Sequence, residues 1–210
     1  MNAKFIVIEG LDGSGKSTQI RMLSERLRAM GRRVYETAEP TPSATGGLVR
    51  DALSGLTPRT GAEIAALFMV DRVAHNSNPV NGISVMLQKG CDVICDRYYY
   101  SSLAYQGTVT DPEWVRRINV DCPEIRRPDL CVFLDLSDEE CLRRMDSGRA
   151  VREIYENAKA LIAIRKRYYE VFRQMEGQEN IVVVDAARSP EAVAEDVFEA
   201  VKAVFREDLH

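Results

Sequence analysis

Basic charge is what this 210-residue chain most plainly lacks: 28 lysines and arginines stand against 32 acids, for a formal net charge of -4. That balance gives no sign of a nucleic-acid surface, so an anionic ligand has to be held by local arginines. Long apolar runs are missing too. No stretch approaches the length that spans a bilayer, and Met1-Asn2-Ala3-Lys4 leads straight into an apolar strand, so neither a membrane segment nor a signal peptide is expected. Cysteines number five, and Cys91, Cys95, Cys122, Cys131 and Cys141 include no CxxC pair or matching histidine cluster. A zinc site is therefore not expected; the thiols read as mostly reduced residues in or near the core, and the compartment as cytoplasmic. Of two histidines, His75 has no evident partner and reads as a structural or surface residue.

What is present is an alternation of short apolar strands with longer helical patterns. Strands are expected near residues 4–8, 33–37, 92–96, 130–136 and 181–185. The first helix follows Ser17, with Ile20, Leu23, Leu27 and Met30 on one face and Gly31 as a left-handed cap. Helical spacing recurs from Ala62 to His75, through Ile64, Leu67, Phe68 and Val73, and again before Gly90, through Val80, Ile83 and Leu87. Ser137-Asp138-Glu139-Glu140 opens a helix to about Met145, and Ser189-Pro190-Glu191 opens one that buries Val193, Val197, Val201 and Val204. With no repeat or linker, residues 1–210 are expected to form a single α/β domain built on a mainly parallel sheet covered on both faces.

Gly10-Leu-Asp-Gly-Ser-Gly-Lys-Ser17, directly behind Phe5-Ile-Val-Ile8, is a complete phosphate-binding loop between a strand and a helix. Gly10, Gly13, Ser14 and Gly15 let the backbone turn its N–H groups toward phosphates, Lys16 adds a mobile cation, and the Ser17 hydroxyl can ligate Mg²⁺. A nucleoside triphosphate is the implied ligand. Asp92-Val-Ile-Cys-Asp96 is an apolar strand ending in a carboxylate, which a parallel sheet delivers to the same crevice, so Asp96 is expected to reach the metal and Arg97 to face the site. Ser101 to Gly107 crowds hydroxyls, an amide and aromatics, a density that suits reading a base edge. Between two helices, Arg143, Arg144, Arg149 and Arg152 surround Ser147-Gly148, and read either as a solvated connection or as a lid, about 143–153, closing over transferring phosphates.

Taken together, residues 5–18, Glu39-Pro40, Leu67-Phe-Met-Val-Asp-Arg72, Asp96-Arg-Tyr-Tyr-Tyr-Ser-Ser-Leu-Ala-Tyr-Gln-Gly107, Arg127-Pro-Asp-Leu130 to Asp135 and Asp185-Ala186 resemble the thymidylate kinase family over nearly the whole chain. The resemblance implies a P-loop NTPase-type five-stranded parallel sheet with a short arginine-rich lid, and a homodimer. It implies transfer of a phosphoryl group from ATP, with Mg²⁺, to dTMP, giving dTDP for dTTP synthesis. By position it implies that Asp12 meets the sugar 3′-hydroxyl, Phe68 stacks on thymine, and Arg72 and Arg97 grip base and monophosphate. Ser102 and Gln106 fall at the thymine edge, Tyr105 beneath the deoxyribose, and Glu39 on the substrate side. Glu9 and Asp96 are expected to join Ser17 around the metal; Thr18 and Arg143 would face the nucleotide, and the backbone near Ala187 the adenine. Gly13 stands where some relatives carry an arginine, so Arg149 or Arg152 is expected to supply that cation. Ala38 stands where many carry another. From spacing alone Phe68 fits core packing as well as stacking, and at least one of Tyr98, Tyr99 and Tyr100 should be core.

A monophosphate oxygen is already anionic, so the chemistry needs no catalytic base; the barrier is bringing two polyanions together, which arginines and Mg²⁺ lower. A kinase for another monophosphate or a deoxynucleoside is the alternative. A P-loop switch or transport ATPase would carry Asn-Lys-x-Asp or Leu-Ser-Gly-Gly-Gln, and neither occurs.

Overall fold

Unbroken apolar runs set the centre of the sheet. In the computed structural model, which describes residues 2–146 and 158–206, β1 (Phe5–Gly10) is buried at every position, which requires cover on both faces. The strands β2 (Val34–Ala38), β3 (Asp92–Asp96), β4 (Leu130–Asp135) and β5 (Ile181–Asp185) complete a five-stranded sheet in the order β2-β3-β1-β4-β5, and every pairing is parallel. β1 thus has β3 on one side and β4 on the other. The chain reverses its direction of winding there, and ligand crevices in open α/β sheets form at the carboxyl end of that point.

Helices α1 (Lys16–Ala29), α2 (Ala44–Leu53), α3 (Gly61–Ser77), α4 (Ile83–Gln88), α5 (Tyr99–Tyr105), α6 (Pro112–Val120), α7 (Asp138–Asp146), α8 (Ala158–Gln174) and α9 (Pro190–Arg206) surround it. α1 packs on α9 and α5 on α8. Ile20, Leu23 and Leu27 are buried as their spacing predicts, but Met30 is 58% exposed because the helix has ended before it. Val80 is 72% exposed, since it precedes α4 and only Ile83 of that trio is fully enclosed. All four valines of α9 are buried, and Ser189 caps it through the Ala192 N–H at 3.3 Å. β1 runs two residues further than the apolar run indicates, because Glu9 is accommodated inside the protein. Tyr98, Tyr99 and Tyr100 are all fully buried: the Tyr98 hydroxyl donates to Arg126 O at 3.0 Å, while those of Tyr99 and Tyr100 meet Glu179.

A second, smaller apolar cluster joins α2 to α3 through Val49, Ala52, Leu53, Ile64 and Phe68. Asp71 holds the chain leading into α2, accepting from Thr41 N at 2.8 Å, Thr41 Oγ1 at 2.6 Å and Thr45 Oγ1 at 2.7 Å. Gly46 closes the same turn so tightly that a Cβ would strike the Thr41 carbonyl oxygen and lie 2.7 Å from its nitrogen. Gly46→Ala is therefore expected to lower stability by about 1–3 kcal/mol, read as a fall in the urea midpoint at constant slope. An unchanged midpoint would mean that the 41–45 turn yields without cost.

Candidate active site

The loop after β1 ends in a helix whose N-cap makes no side-chain hydrogen bond to the first turn among the described residues. Gly15 is the N-cap of α1, in a left-handed conformation, and offers no side-chain acceptor. The donors at this terminus are thus directed outward, where a phosphate can take them. Lys16 is buried; its Nζ donates to Gly10 O at 3.2 Å and Leu11 O at 3.0 Å and lies 3.9 Å from Asp12 Oδ1. Burial lowers its affinity for a proton, and the nearby Arg97 charge adds to that, while Asp12 and Asp96 oppose it. Ser17 and Thr18 are exposed at the mouth of the loop.

From the end of β3, Arg97 crosses to this loop. Its Nη2 donates to Asp12 Oδ1 at 2.8 Å and to the Tyr105 hydroxyl at 3.4 Å, and its Nη1 to Ser101 Oγ at 3.0 Å. The Arg97 backbone has φ +67°, a left-handed conformation that costs a non-glycine residue about 1–3 kcal/mol and has to be enforced by its surroundings. Asp96 Oδ1 is buried and meets no hydrogen-bond donor among the described residues. Glu9, expected at the metal, is placed differently. It is fully buried and its carboxylate already accepts from Tyr98 N at 2.9 Å, Ser101 N at 3.1 Å, Ser101 Oγ at 2.7 Å and the Tyr168 hydroxyl at 2.8 Å. No lone-pair direction is left for an ion, so Glu9 is an internal tie and not a ligand.

Asp12, Lys16, Ser17, Thr18, Asp96 and Arg97 line a cleft of about 560 Å³ together with Glu39, Pro40, Arg50, Leu53, Phe68, Arg72, Tyr105 and Gln106. Arg72 is fully buried. Its Nε donates to Glu39 Oε2 at 2.7 Å, its Nη2 to Ser102 Oγ at 3.2 Å, and its Nη1 to Asn119 Oδ1. Ser102 therefore stands behind Arg72 instead of lining the cleft. Phe68 satisfies both readings of its spacing, belonging to the α2–α3 cluster and also lining the cleft. His75 is structural and buried: Nδ1 is 3.0 Å from Glu39 Oε1 and Nε2 is 2.7 Å from Thr37 Oγ1. Arg50 is a cleft residue that sequence reasoning missed, since it sits on the short, glycine-containing α2; it is aimed by bonds to Thr41 O at 2.6 Å and Pro40 O at 3.2 Å.

On the remaining side, the arginine chosen from sequence is displaced by its neighbour. Arg143 is 74% exposed and paired with Glu140, whereas Arg144, also paired with Glu140, brings Nη1 to 3.5 Å from Gly13 O. Successive helical residues point about 100° apart, so only one of the two can face the loop. Arg149 and Arg152 lie outside the described residues. Ala187 is on the exposed turn between β5 and α9, its N–H bonded to Asp185 Oδ1 at 3.0 Å, and Gln19 of α1 donates to Pro190 O, at the start of α9, at 2.9 Å. Gly10 and Ser14 shape the loop from within and do not line the cleft. The arrangement brings Lys16 and Arg97 together in one cleft with the N-terminus of α1, a combination that can hold phosphate groups.

A family model described as thymidylate kinase matches residues 8–197. The chain is 37% identical over 211 residues to the probable thymidylate kinase of Pyrococcus abyssi (strain GE5 / Orsay), covering 96% of this chain and 97% of that protein. Identity is also 37%, over 204 residues, to the probable thymidylate kinase of Pyrobaculum aerophilum, with 96% and 98% covered. The putative thymidylate kinase of Treponema pallidum (strain Nichols) is 32% identical over 196 residues, with 92% of each chain covered.

Gly13, at φ +83°, packs against α7 so closely that a Cβ would lie 2.8 Å from Cys141 O. Gly13→Ala is expected to push α7 off the loop and weaken nucleoside triphosphate binding about tenfold, or about 1.4 kcal/mol, by isothermal titration. Wild-type affinity in that variant would show that α7 shifts without disturbing the loop.

Proposed function

The chain belongs to the thymidylate kinase family, and on that premise we propose that it is an ATP-dependent nucleoside monophosphate kinase that converts dTMP to dTDP by in-line phosphoryl transfer. The observation that carries this reading is the single cleft in which the phosphate loop and the Asp96–Gln106 segment meet through the 2.8 Å contact of Asp12 with Arg97. ATP would lie over the loop and the first turn of α1, its β- and γ-phosphates taken by the uncapped N–H groups and Lys16. dTMP would enter from the side of Phe68, Arg72, Tyr105 and Gln106, with thymine on Phe68, the deoxyribose over Tyr105, and the monophosphate against Arg97. Asp12 then faces the sugar hydroxyl. Glu39 acts through Arg72, holding its guanidinium rigid beside the base. Arg50 borders the same end and adds positive charge there.

The residues present fit Mg²⁺. Asp96 Oδ1 is a buried acceptor without a donor and Ser17 presents a hydroxyl at the cleft. Among the described residues no group of three or more His, Cys, Asp or Glu side chains is placed to hold a metal, which suits an ion held largely by phosphates. Ser17 and Asp96 would hold it, Asp96 through water, and when bound it neutralises charge on the transferring phosphoryl group. Arg97 and Lys16 compress the approach of the two anions, and no side chain has to remove a proton from an already ionised acceptor. Arg144, already at the loop, begins the proposed lid of residues 143–153, to which Arg149 and Arg152 would add further cations. Residues 1–210 would work as one such domain.

Two further parts of this reading concern the whole molecule. No helix among the described residues is long and apolar enough to cross a membrane. We propose a cytoplasmic location because the five free cysteines suit a reducing compartment. We also propose a homodimer, for which the exposed Leu48 of α2 and Val70 of α3 offer apolar surface; light scattering should return twice the chain mass, and a monomer would refute this part.

Steady-state assays over a panel of acceptors should give dTMP the highest kcat/KM, and a preference for dCMP, UMP or a free nucleoside would sink the thymidylate assignment. Lys16→Ala should lower kcat by about 10²–10³ while the dissociation constant for dTMP stays within about twofold, because Lys16 serves the donor side. Equal losses on both ligands would remove that division of the cleft.

A further inference from the structure

The left-handed conformation of Arg97 has a specific cause in the neighbouring strand. Two consecutive residues of β1 take the two peptide N–H groups that flank its Cα: Arg97 N donates to Ile8 O at 3.0 Å, and Tyr98 N donates to Glu9 Oε1 at 2.9 Å. The peptide units on both sides of Arg97 are thus fixed against one rigid, buried strand. Rotation out of the left-handed region would break at least one of these bonds.

Glu9 also performs the capping of α5. Tyr98 is the N-cap of that helix and has no side-chain cap of its own. In an ordinary capping box the N-cap and third-position N–H groups are satisfied by side chains of the helix itself. Here both are taken by one carboxylate from another element, Tyr98 N at 2.9 Å and Ser101 N at 3.1 Å on Oε1, in the place where a helix terminus favours negative charge. The second oxygen holds Ser101 Oγ at 2.7 Å and the Tyr168 hydroxyl of α8 at 2.8 Å, and those two hydroxyls are 2.9 Å from each other. Ser101 Oγ in turn accepts from Arg97 Nη1 at 3.0 Å. The carboxylate is therefore coupled to Arg97 twice, through the backbone and through Ser101.

We propose that Glu9 is a positioning residue that caps α5 from β1 and thereby locks Arg97 in the conformation that aims its guanidinium into the cleft. The inference rests on the acceptor reading above, in which Arg97 meets the monophosphate. Loss of Glu9 should then weaken recognition of the acceptor's phosphate and spare recognition of its nucleoside part, which is bounded by Phe68, Tyr105 and Gln106. Burial raises the Glu9 carboxyl toward its protonated form, against the pull of Arg97 and of the bonds it accepts. Glutamine can reproduce most of this hydrogen-bonding geometry. The amide oxygen accepts the two backbone N–H groups, and the amide nitrogen donates to the oxygens of Ser101 and Tyr168.

The test is calorimetric titration of the full chain with dTMP and with thymidine, with and without Mg²⁺. Glu9→Ala is expected to weaken dTMP binding at least about tenfold while thymidine stays within about twofold, and Glu9→Gln to lose no more than about threefold for dTMP. Tyr168→Phe removes one of the four donors without opening a large cavity, and should show a smaller loss in the same dTMP-only direction even where Glu9→Ala fails to fold. Equal losses for dTMP and thymidine in either Glu9→Ala or Tyr168→Phe would overturn the proposal. A Glu9→Gln variant as weak as Glu9→Ala, with the loss confined to Mg²⁺-containing buffer, would overturn it in favour of a metal role. Discrimination between dTMP and thymidine that survives in Glu9→Ala would refute the positioning role alone, whereas wild-type protein lacking that discrimination would overturn the acceptor reading and this inference with it.

Discussion

The contact between Asp12 Oδ1 and Arg97 Nη2, 2.8 Å long, is the joint on which the cleft depends. Asp12 comes from the loop after β1 and Arg97 from the end of β3, so the pair ties the nucleotide side of the cleft to the acceptor side across two adjacent parallel strands. Their side chains are 26% and 16% exposed, and an ionised group that far from water needs a partner. A phosphate arriving in the proposed reaction brings Arg97 a second anion. Asp12 would then turn to a hydroxyl donor, so the pair already holds its charges in the pattern that the proposed ligands would take over. Lys16, in the same way, has two loop carbonyls as partners for its buried ammonium group.

The far end of the cleft follows a stricter version of this rule. Arg72 has no exposure, and its guanidinium is met by Glu39, Asn119 and Ser102, which come from three separate segments. Glu39 divides its oxygens between Arg72 and His75, and His75 passes the chain of contacts to Thr37 in β2. A buried arginine satisfied from several directions cannot swing, so this end of the cleft is rigid, whereas Arg97 keeps 16% of its side chain exposed.

The sequence carried the sheet and the phosphate loop plainly because both depend on local chemistry. The five strands are short apolar runs and the loop needs its glycines, lysine and serine at fixed spacing, so period and spelling suffice. α5 was not legible as a helix, since residues from Tyr99 to Tyr105 are buried on every side and show no amphipathic period. Glu9 was read as a metal residue because an acid beside a phosphate loop has that chemistry available; what removes it from the cleft is four donors arriving from α5, its flank and α8, far away in the chain. Arg50 and the choice between Arg143 and Arg144 failed for the same reason. Which way an arginine points is decided by the tertiary neighbours that fix its helix, Thr41 and Pro40 in one case and the Gly13 carbonyl in the other.

Gly13 and Arg144 are two consequences of one packing decision. A side chain at position 13 would be driven into the backbone of α7 at Cys141, so the loop can carry no arginine of its own while α7 lies where it does. The close approach that forbids the side chain is also what brings Arg144 within reach of the loop, 3.5 Å from the Gly13 carbonyl. Cys141, whose backbone makes that contact, is buried, and burial pushes its thiol up to about 11. The positive charge beside Gly13 is therefore carried by the helix that packs on the loop.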